Sequence, residues 1–169
     1  MIFIGHPKKQ RIKYDRPFKP YDKARIEREK KLVTEYGLKR KNEVWRAEAL
    51  LRSYRRRARE LLVRHEEQKE KDLIGKLNKL GIKCIKVEDV LGVKTEDILS
   101  RRLQTVLHKK YIADVRHSRQ LIVHGHVSIS GRRMLWPGYL VTAEEESTIQ
   151  VSAAVKTALI DKPEGGTNA

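Results

Sequence analysis

Basic side chains concentrate between residues 101 and 133, where eight Lys/Arg stand against a single acid, Asp114. Guanidinium and ammonium groups gathered on one surface bind phosphate, so this stretch predicts contact with a nucleic acid backbone. Asp114 also predicts the start of a helix, whose free N-terminal amides add to the attraction for phosphate. The candidate contact residues here are Arg101, Arg102, Gln104, Thr105, His108, Lys109, Lys110, Arg116, His117, Ser118, Arg119, Gln120, His124, His126 and Arg132.

The same charges could also form the solvated face of an ordinary small domain. We favour RNA because the shortage of acids in this stretch exceeds what solubility requires. The pattern suits a structured RNA, which proteins recognise by shape and backbone more than by base edges. His124 and His126, which flank Gly125, could add hydrogen bonds or stacking to a nucleotide.

A second basic group lies on a long helix predicted to run from Asn42, as its cap, to about His65. Exposed helix faces are often charged, and some of these arginines could pair with Glu48, Glu60, Glu66 or Glu67. Because the acids are too few to neutralise the helix, we again favour nucleic acid. The candidates are Arg46, Arg52, Arg55, Arg56 and Arg59, joined by Lys8, Lys9 and Arg11 of a proline-rich N-terminal arm. Trp45 is interpreted as a packing residue between helices.

The chain of 169 residues carries a formal net charge of +16 and has a pI of about 10.1. A field this positive attracts polyanions, either nucleic acid or an anionic membrane surface. No apolar run is long enough for a transmembrane helix, so no membrane partner is expected. Residues 1–80 hold 25 Lys/Arg against 12 Asp/Glu, and residues 81–100 hold 3 against 4. Two basic zones are therefore separated by a nearly neutral bridge.

The sequence predicts no metal site, no cofactor and no catalytic residue. Its six histidines and Cys84 lack the spacing of zinc ligands. It contains no Gly-rich phosphate loop and no nucleophile elbow, and the run 144–146 is interpreted as a solvated turn rather than an acid–base centre. The single cysteine cannot form an internal disulfide, which fits a reducing cytosol.

A helix predicted from Thr95 to about Lys109 positions the first basic residues. Its apolar positions share one arc at about 100° per residue, as in a core-facing helix, and they are Leu99, Leu103, Val106 and Leu107. The opposite arc holds Arg101, Arg102, Thr105, His108 and Lys109, which we expect to be exposed. Charge reversal at Arg101 and Arg102 is therefore expected to weaken RNA binding without unfolding the protein.

Cap and turn residues delimit the other elements. Asp22 and Asp114 predict helix starts, and Gly37 and Gly125 predict helix ends. Residues 82–93 are expected to hold a short strand and a connector. The side chains expected in the core there are Cys84, Ile85 and Val87. Short antiparallel strands are expected after Gly125, near residues 127–129, 139–141 and 148–151.

The predicted fold class is α+β. Residues 1–93 are expected to form a basic N-terminal arm and helical body. Residues 94–155 are expected to form a compact RNA-binding module of two or three helices packed on a small, mainly antiparallel sheet. Residues 156–169 are expected to form a flexible C-terminal tail.

Several runs of residues carry a resemblance to a known family. Ile98–Gln104 and Ser118–Val127, with the Ser130-Gly131 turn, resemble the RNA-binding module named after ribosomal small-subunit protein four. The wider chain, about residues 7–151, is similar to the family of that ribosomal protein in its archaeal and eukaryotic branch. The stretches that carry this wider resemblance are Pro20-Tyr21, Tyr36–Arg46 and Leu50–Arg52.

The resemblance implies a structural constituent of the small ribosomal subunit in the cytoplasm, without catalysis. It implies a primary rRNA-binding protein that nucleates subunit assembly, contributes to decoding accuracy and lies beside small-subunit protein five. Self-association is not expected. Many bacterial members carry a zinc-binding cysteine cluster near the N-terminus, which is not expected here because no cysteine precedes Cys84.

Two other functions would use the same module. An RNA-modifying enzyme of the pseudouridine synthase type needs a separate catalytic domain with a nucleophilic aspartate, and the basic helical body is too short to provide one. A stress factor that binds stalled ribosomal particles is the other alternative, and such a factor would leave purified subunits in a high-salt wash.

Overall fold

Helices come first along the chain and strands follow. The computed structural model describes residues 14–111 and 114–152. The helices are α1 (Lys23–Glu35), α2 (Lys41–Arg64), α3 (Glu67–Lys79), α4 (Asp89–Gly92), α5 (Thr95–Ser100), α6 (Leu103–Tyr111) and α7 (Val115–Val123). The strands are β1 (Val127–Ile129), β2 (Arg132–Arg133) and β3 (Ile149–Val151), the last preceded by a 3-10 turn at Glu145–Thr148. The predicted α+β class is confirmed.

Local sequence signals place most helix ends. The Asp22 carboxylate accepts a hydrogen bond from the Arg25 amide at 3.4 Å, and Asp114 does the same for Arg116 at 3.0 Å. Gly37 ends α1 with a φ of +54°. The predicted Asn42 cap is wrong, because α2 already begins at Lys41. The preceding residue, Arg40, is extended and makes no side-chain capping bond.

The helical body is organised around α2. The buried side chains of this helix recur at helical spacing and face α1, α3, α4 and α5. The buried cluster comprises Leu38, Val44, Ala47, Leu51, Ala58, Leu61, Leu73, Leu77, Ile82, Cys84, Val87, Val90, Val93, Ile98 and Leu99. Trp45 packs against this cluster, and its indole N–H donates to Glu29 at 2.9 Å, as expected of a packing residue.

A second buried cluster lies between the α6–α7 pair and the sheet. Its members are Leu103, Val106, Leu107, Leu121, Ile122, Val127, Ile129, Val141, Ile149 and Val151. The strand order is β2-β1-β3 and both pairings are antiparallel. Ser130 and Gly131, with φ of +48° and +77°, join β1 to β2 in a tight two-residue turn.

The single helix predicted from Thr95 to Lys109 is wrong, because the chain breaks it at Arg101–Arg102. Arg102 pairs as an isolated antiparallel bridge with Leu140, and the Val141 amide donates to the Arg101 carbonyl at 2.9 Å. A residue that pairs with an extended segment cannot continue a helical ladder. The predicted strand at 139–141 is correspondingly reduced to this bridge.

The strand predicted within residues 82–93 is also wrong. Asp89 accepts hydrogen bonds from the amides of Ile85 and Lys86 at 3.0 and 2.9 Å, and α4 follows. Cys84 and Val87 are buried as expected, whereas Ile85 is 86% exposed. Among the described residues, no helix is both long and apolar enough to cross a membrane.

Candidate nucleic-acid interface

At the break between α5 and α6, the neighbouring Arg101 and Arg102 pair with two different carboxylates. Arg102 is only 6% exposed, and its guanidinium pairs with Glu43 near the start of α2. Arg119 of α7 reaches the same carboxylate, with Nη1 lying 3.3 Å from Oε1. Glu43 therefore joins α2 to the break before α6 and to α7.

Two arginines control the ionisation of Glu43. Burial alone would raise the pKa of this carboxyl. The hydrogen bonds and positive charges of Arg102 and Arg119 outweigh burial, and the pKa lies below its ordinary value. The Lys39 amide also donates to Oε1 at 3.2 Å. The carboxylate is therefore held in its charged form at neutral pH.

Glu146 plays the matching role on the other side of the break. Its carboxylate lies 2.8 Å from Arg101 Nη2 and 3.4 Å from Lys110 Nζ. Burial would raise the pKa of Glu146, but these two cations lower it below the ordinary value. Neighbouring Glu145 accepts the Tyr139 hydroxyl at 2.8 Å and the Thr142 amide at 3.0 Å. Within the run 144–146, Glu146 therefore binds two cations and Glu145 stabilises a turn. The interpretation of this run as a solvated turn did not include these contacts.

Three polar candidates are buried and serve the fold. The Gln104 amide nitrogen donates to the carbonyls of Gly37 and Val115 at 2.9 and 3.0 Å. Thr105 Oγ1 donates to the Leu99 carbonyl at 3.0 Å, and Ser118 Oγ to the Asp114 carbonyl at 3.1 Å. The expectation that Arg102 and Thr105 are exposed is wrong. That expectation assumes one continuous helix, and the break at Arg101–Arg102 changes the direction in which the later side chains point.

The remaining candidates between residues 108 and 132 are exposed or half-buried. Lys109, Arg116, Gln120, His124 and Arg132 are exposed, and Lys110 is exposed while paired with Glu146. His108, His117 and His126 are half-buried. The rings of His124 and His126 lie nearly parallel with their centroids 6.4 Å apart.

Arg133 is a surface cation that the candidate set lacks. It is exposed, and its guanidinium donates to the Gly125 carbonyl at 2.7 Å and to the His124 carbonyl at 3.0 Å. It thereby places a positive charge at the C-terminal end of α7, where carbonyls concentrate negative potential. The sequence feature that could have identified Arg133 is its position directly after the candidate Arg132.

On α2 the arginines divide in the same way. Arg46, Arg52, Arg56 and Arg59 are exposed, whereas Arg55 is half-buried and donates to the Val93 carbonyl at 2.5 Å. Weak exposed pairs join Arg52 to Asp15 at 3.7 Å and Arg56 to Glu60 at 3.8 Å. Lys8, Lys9 and Arg11 lie outside the described residues.

A groove of about 550 Å³ runs between the start of α2 and the turn at residues 136–139. We call it the Trp136 groove. In the described part of the chain its charged lining is five cations and one carboxylate, namely Lys39, Arg40, Arg46, Arg102, Arg119 and Glu43. Trp136 completes the groove and is 73% exposed. Three of these residues, Lys39, Arg40 and Trp136, were not among the sequence candidates.

The surface offers positive charge and an exposed aromatic side chain. Across residues 14–111 and 114–152, no group of three or more His, Cys, Asp or Glu side chains is placed to hold a metal ion. Exposed guanidinium and ammonium groups bind phosphate, and an exposed indole can stack on a base. The arrangement is therefore that of a nucleic-acid-binding surface.

Residues 101–147 match the S4 domain family. The fold and this surface are those of a protein that contains an S4 domain. Small ribosomal subunit protein uS4 of Methanothermobacter thermautotrophicus is 46% identical over 152 residues, covering 86% of this chain and 89% of that protein. The same protein of Ignicoccus hospitalis is 46% identical, covering 86% and 92%. That of Saccharolobus islandicus is 41% identical over 153 residues, covering 86% and 84%. The chain belongs to the uS4 family of small ribosomal subunit proteins, in its archaeal branch.

Proposed function

We propose that the protein is a structural constituent of the small ribosomal subunit in the cytoplasm, where it binds rRNA and nucleates assembly. The observation that carries this proposal is the similarity to uS4 proteins over 86% of the chain. An enzyme that merely shared the S4 domain would resemble the chain over residues 101–147 and not over the helical body. The extent of the match therefore favours the ribosomal protein over an RNA-modifying enzyme.

We propose that rRNA contacts the exposed basic and polar side chains and does not contact the cations that are held in partly buried ion pairs. The proposed contact set is Lys109, Arg116, Gln120, His124, Arg132, Arg133, Arg46, Arg52, Arg56 and Arg59. Arg101, Arg102 and Arg119 are assigned to the joint between the helical body and the module, because Glu146 and Glu43 hold them in ion pairs. Charge reversal at Arg101 and Arg102 would place acids against acids and is therefore a test of folding rather than of RNA contact.

The division into a body at 1–93, a module at 94–155 and a tail at 156–169 remains our proposal. The two buried clusters support it, because one ends at Leu99 and the other begins at Leu103. The clusters favour a boundary at Arg101–Arg102, slightly later than residue 94. The proposed tail lies outside the described residues. As protein neighbour in the subunit we propose small-subunit protein five.

The decisive experiment compares full-length protein binding to small-subunit rRNA and to an unrelated RNA of equal length at moderate ionic strength. Filter binding is expected to show at least about a tenfold preference for rRNA, equivalent to about 1.4 kcal/mol. Equal affinity for the two RNAs would contradict the proposal.

A second measurement separates a subunit constituent from a stress factor. A constituent should remain in stoichiometric amount on purified small subunits after a high-salt wash, because its contacts are numerous and partly buried by rRNA. A factor held by surface charge alone should dissociate as counterions screen its contacts.

A further inference from the structure

The Trp136 groove presents an aromatic face that the protein itself leaves uncovered. The Trp136 indole is 73% exposed, although tryptophan is usually largely buried because of its large apolar area. Trp45, the other tryptophan, is half-buried and hydrogen-bonded to Glu29. The exposed indole is thus available to a flat ligand.

The turn that carries Trp136 is held firmly in place. The Trp136 carbonyl accepts the Tyr139 amide at 3.1 Å, which closes the turn. The Pro137 and Tyr139 carbonyls accept the first amides of α6, those of Gln104 and Leu103, at 3.3 and 2.8 Å. Because α6 is packed into the second buried cluster, the backbone that carries the indole is fixed, which reduces the backbone entropy lost on binding.

The groove that Trp136 lines is positively charged. Lys39 and Arg40 are exposed there, and within the described residues neither side chain forms an ion pair. The 24-residue helix α2 begins directly after Arg40 and has no side-chain cap, so the positive end of its dipole lies next to these two cations. Glu43 does not oppose an anion strongly, because Arg102 and Arg119 neutralise it.

An exposed indole and unpaired cations that line the same groove match the base and the phosphate of a nucleotide. We propose that the Trp136 groove binds one unpaired nucleotide of the RNA, with its base stacked on the indole and its phosphate at Lys39 and Arg40. This inference rests on the proposed function. Bases inside a duplex are already stacked on their neighbours, so only a bulged, looped or terminal nucleotide can offer its face. The cationic lining favours RNA over an apolar protein segment as the occupant.

The test uses the full-length chain and two hairpin RNAs with the same stem, one with a single bulged adenosine and one fully paired. Wild-type protein should prefer the bulged hairpin by about 5- to 150-fold, the range expected for one stacked base. Trp136→Ala should abolish this preference, so that the variant binds the two hairpins with equal affinity. Trp136→Phe, which keeps an aromatic face, should restore most of it.

Leu135→Ala is the matched control, since Leu135 is the adjacent exposed apolar residue and does not line the groove. It should bind both hairpins as the wild type does. Quenching of tryptophan fluorescence by the bulged hairpin gives a second readout. This quenching should disappear in Trp136→Phe, where only Trp45 remains.

Two outcomes overturn the inference. One is a wild-type protein without preference for the bulged hairpin, and the other is a Trp136→Ala protein that retains it, as expected if the indole instead contacts a neighbouring protein. Either outcome leaves the preference for small-subunit rRNA over unrelated RNA intact. Failure of that preference in the wild type would reject the proposed function itself, so the two failures are distinguishable.

Discussion

At the scale of single residues, carboxylates decide which cations are free. Glu43 and Glu146 each hold two basic side chains, and the four partners are all residues that charge counting assigns to RNA. An acid that lies among cations attracts them more strongly than a distant phosphate does, because Coulomb energy falls with separation. Counting charges along the chain therefore overestimates the cations available to RNA.

Glu43→Gln should destabilise the protein by about 3 kcal/mol at pH 7, since Arg102 would remain buried without its counter-charge. Urea unfolding followed by circular dichroism measures the change. Glu60→Gln is the matched control, because Glu60 forms an exposed pair with Arg56 at 3.8 Å. Its loss should change the free energy of unfolding by less than about 0.5 kcal/mol.

The cost of Glu43→Gln should also depend on pH. The pKa of Glu43 is lower in the folded state than in the unfolded chain, so its stabilisation is present above the unfolded value. That stabilisation is lost as the pH falls through the lowered pKa of the folded state. The stability difference between wild type and variant should thus shrink progressively below about pH 4.3. A difference that stays constant down to pH 3 would show that Glu43 does not act through its charge.

At the scale of secondary structure, the loop between α1 and α2 joins the body to α6 and α7. The Gly37 carbonyl accepts Gln104 Nε2, which also binds the Val115 carbonyl. A Cβ at Gly37 would lie 2.7 Å from Val115 Cγ1 and 3.0 Å from Gln104 Nε2. The glycine therefore permits both a left-handed turn and a close contact between elements.

Gly37→Ala should destabilise the fold by about 2 kcal/mol, the sum of left-handed strain and a steric clash. Gly75→Ala is the opposite case, since Gly75 lies inside α3. Among the described residues, nothing beyond the surrounding helix backbone and its chain neighbours would lie within 4 Å of a Cβ added there. That substitution should stabilise the protein by about 0.5–1 kcal/mol through helix propensity. Thermal unfolding of the two variants checks both signs, and a neutral Gly37→Ala would contradict the close contact.

At the scale of the whole molecule, a net charge of +16 creates a long-range field, while the arrangement of exposed cations determines where RNA docks. A protein that bound RNA by net charge alone would respond equally to the loss of any two cations. One that binds through a defined surface would respond only to losses on that surface. The salt dependence of the affinity separates the two cases, because the slope of log affinity against log salt increases with the number of phosphate contacts.

The double variant Arg116→Gln, Arg132→Gln should weaken rRNA binding and reduce the slope of log affinity against log salt by about one per lost contact. The control Lys69→Gln, Lys71→Gln removes the same charge from α3, where both lysines pair with nearby glutamates. It should leave the slope nearly unchanged. Equal effects of the two double variants would indicate a diffuse field rather than a docking surface.

Local signals were sufficient for much of the fold. Asp22, Asp114, Gly37 and the Ser130-Gly131 turn act on backbone groups within a few residues, so their effects can be read along the chain. The break at Arg101–Arg102 could not be read in this way. It depends on the pairing of Arg102 with Leu140, a contact between distant segments.

The amino-acid sequence by itself determined the positive field, the α+β class, the caps and turns and the family resemblance, since each depends on composition or on near neighbours. Only the tertiary structure decided which cations remain free for RNA and which aromatic side chain stands beside them. Glu43 is 59 residues from Arg102 and 76 from Arg119, so their ion pairs form only when folding brings the start of α2 close to the α5–α6 break and to Arg119 of α7. Electrostatic pairing depends on distance in space, and that distance is set by packing of the two buried cores.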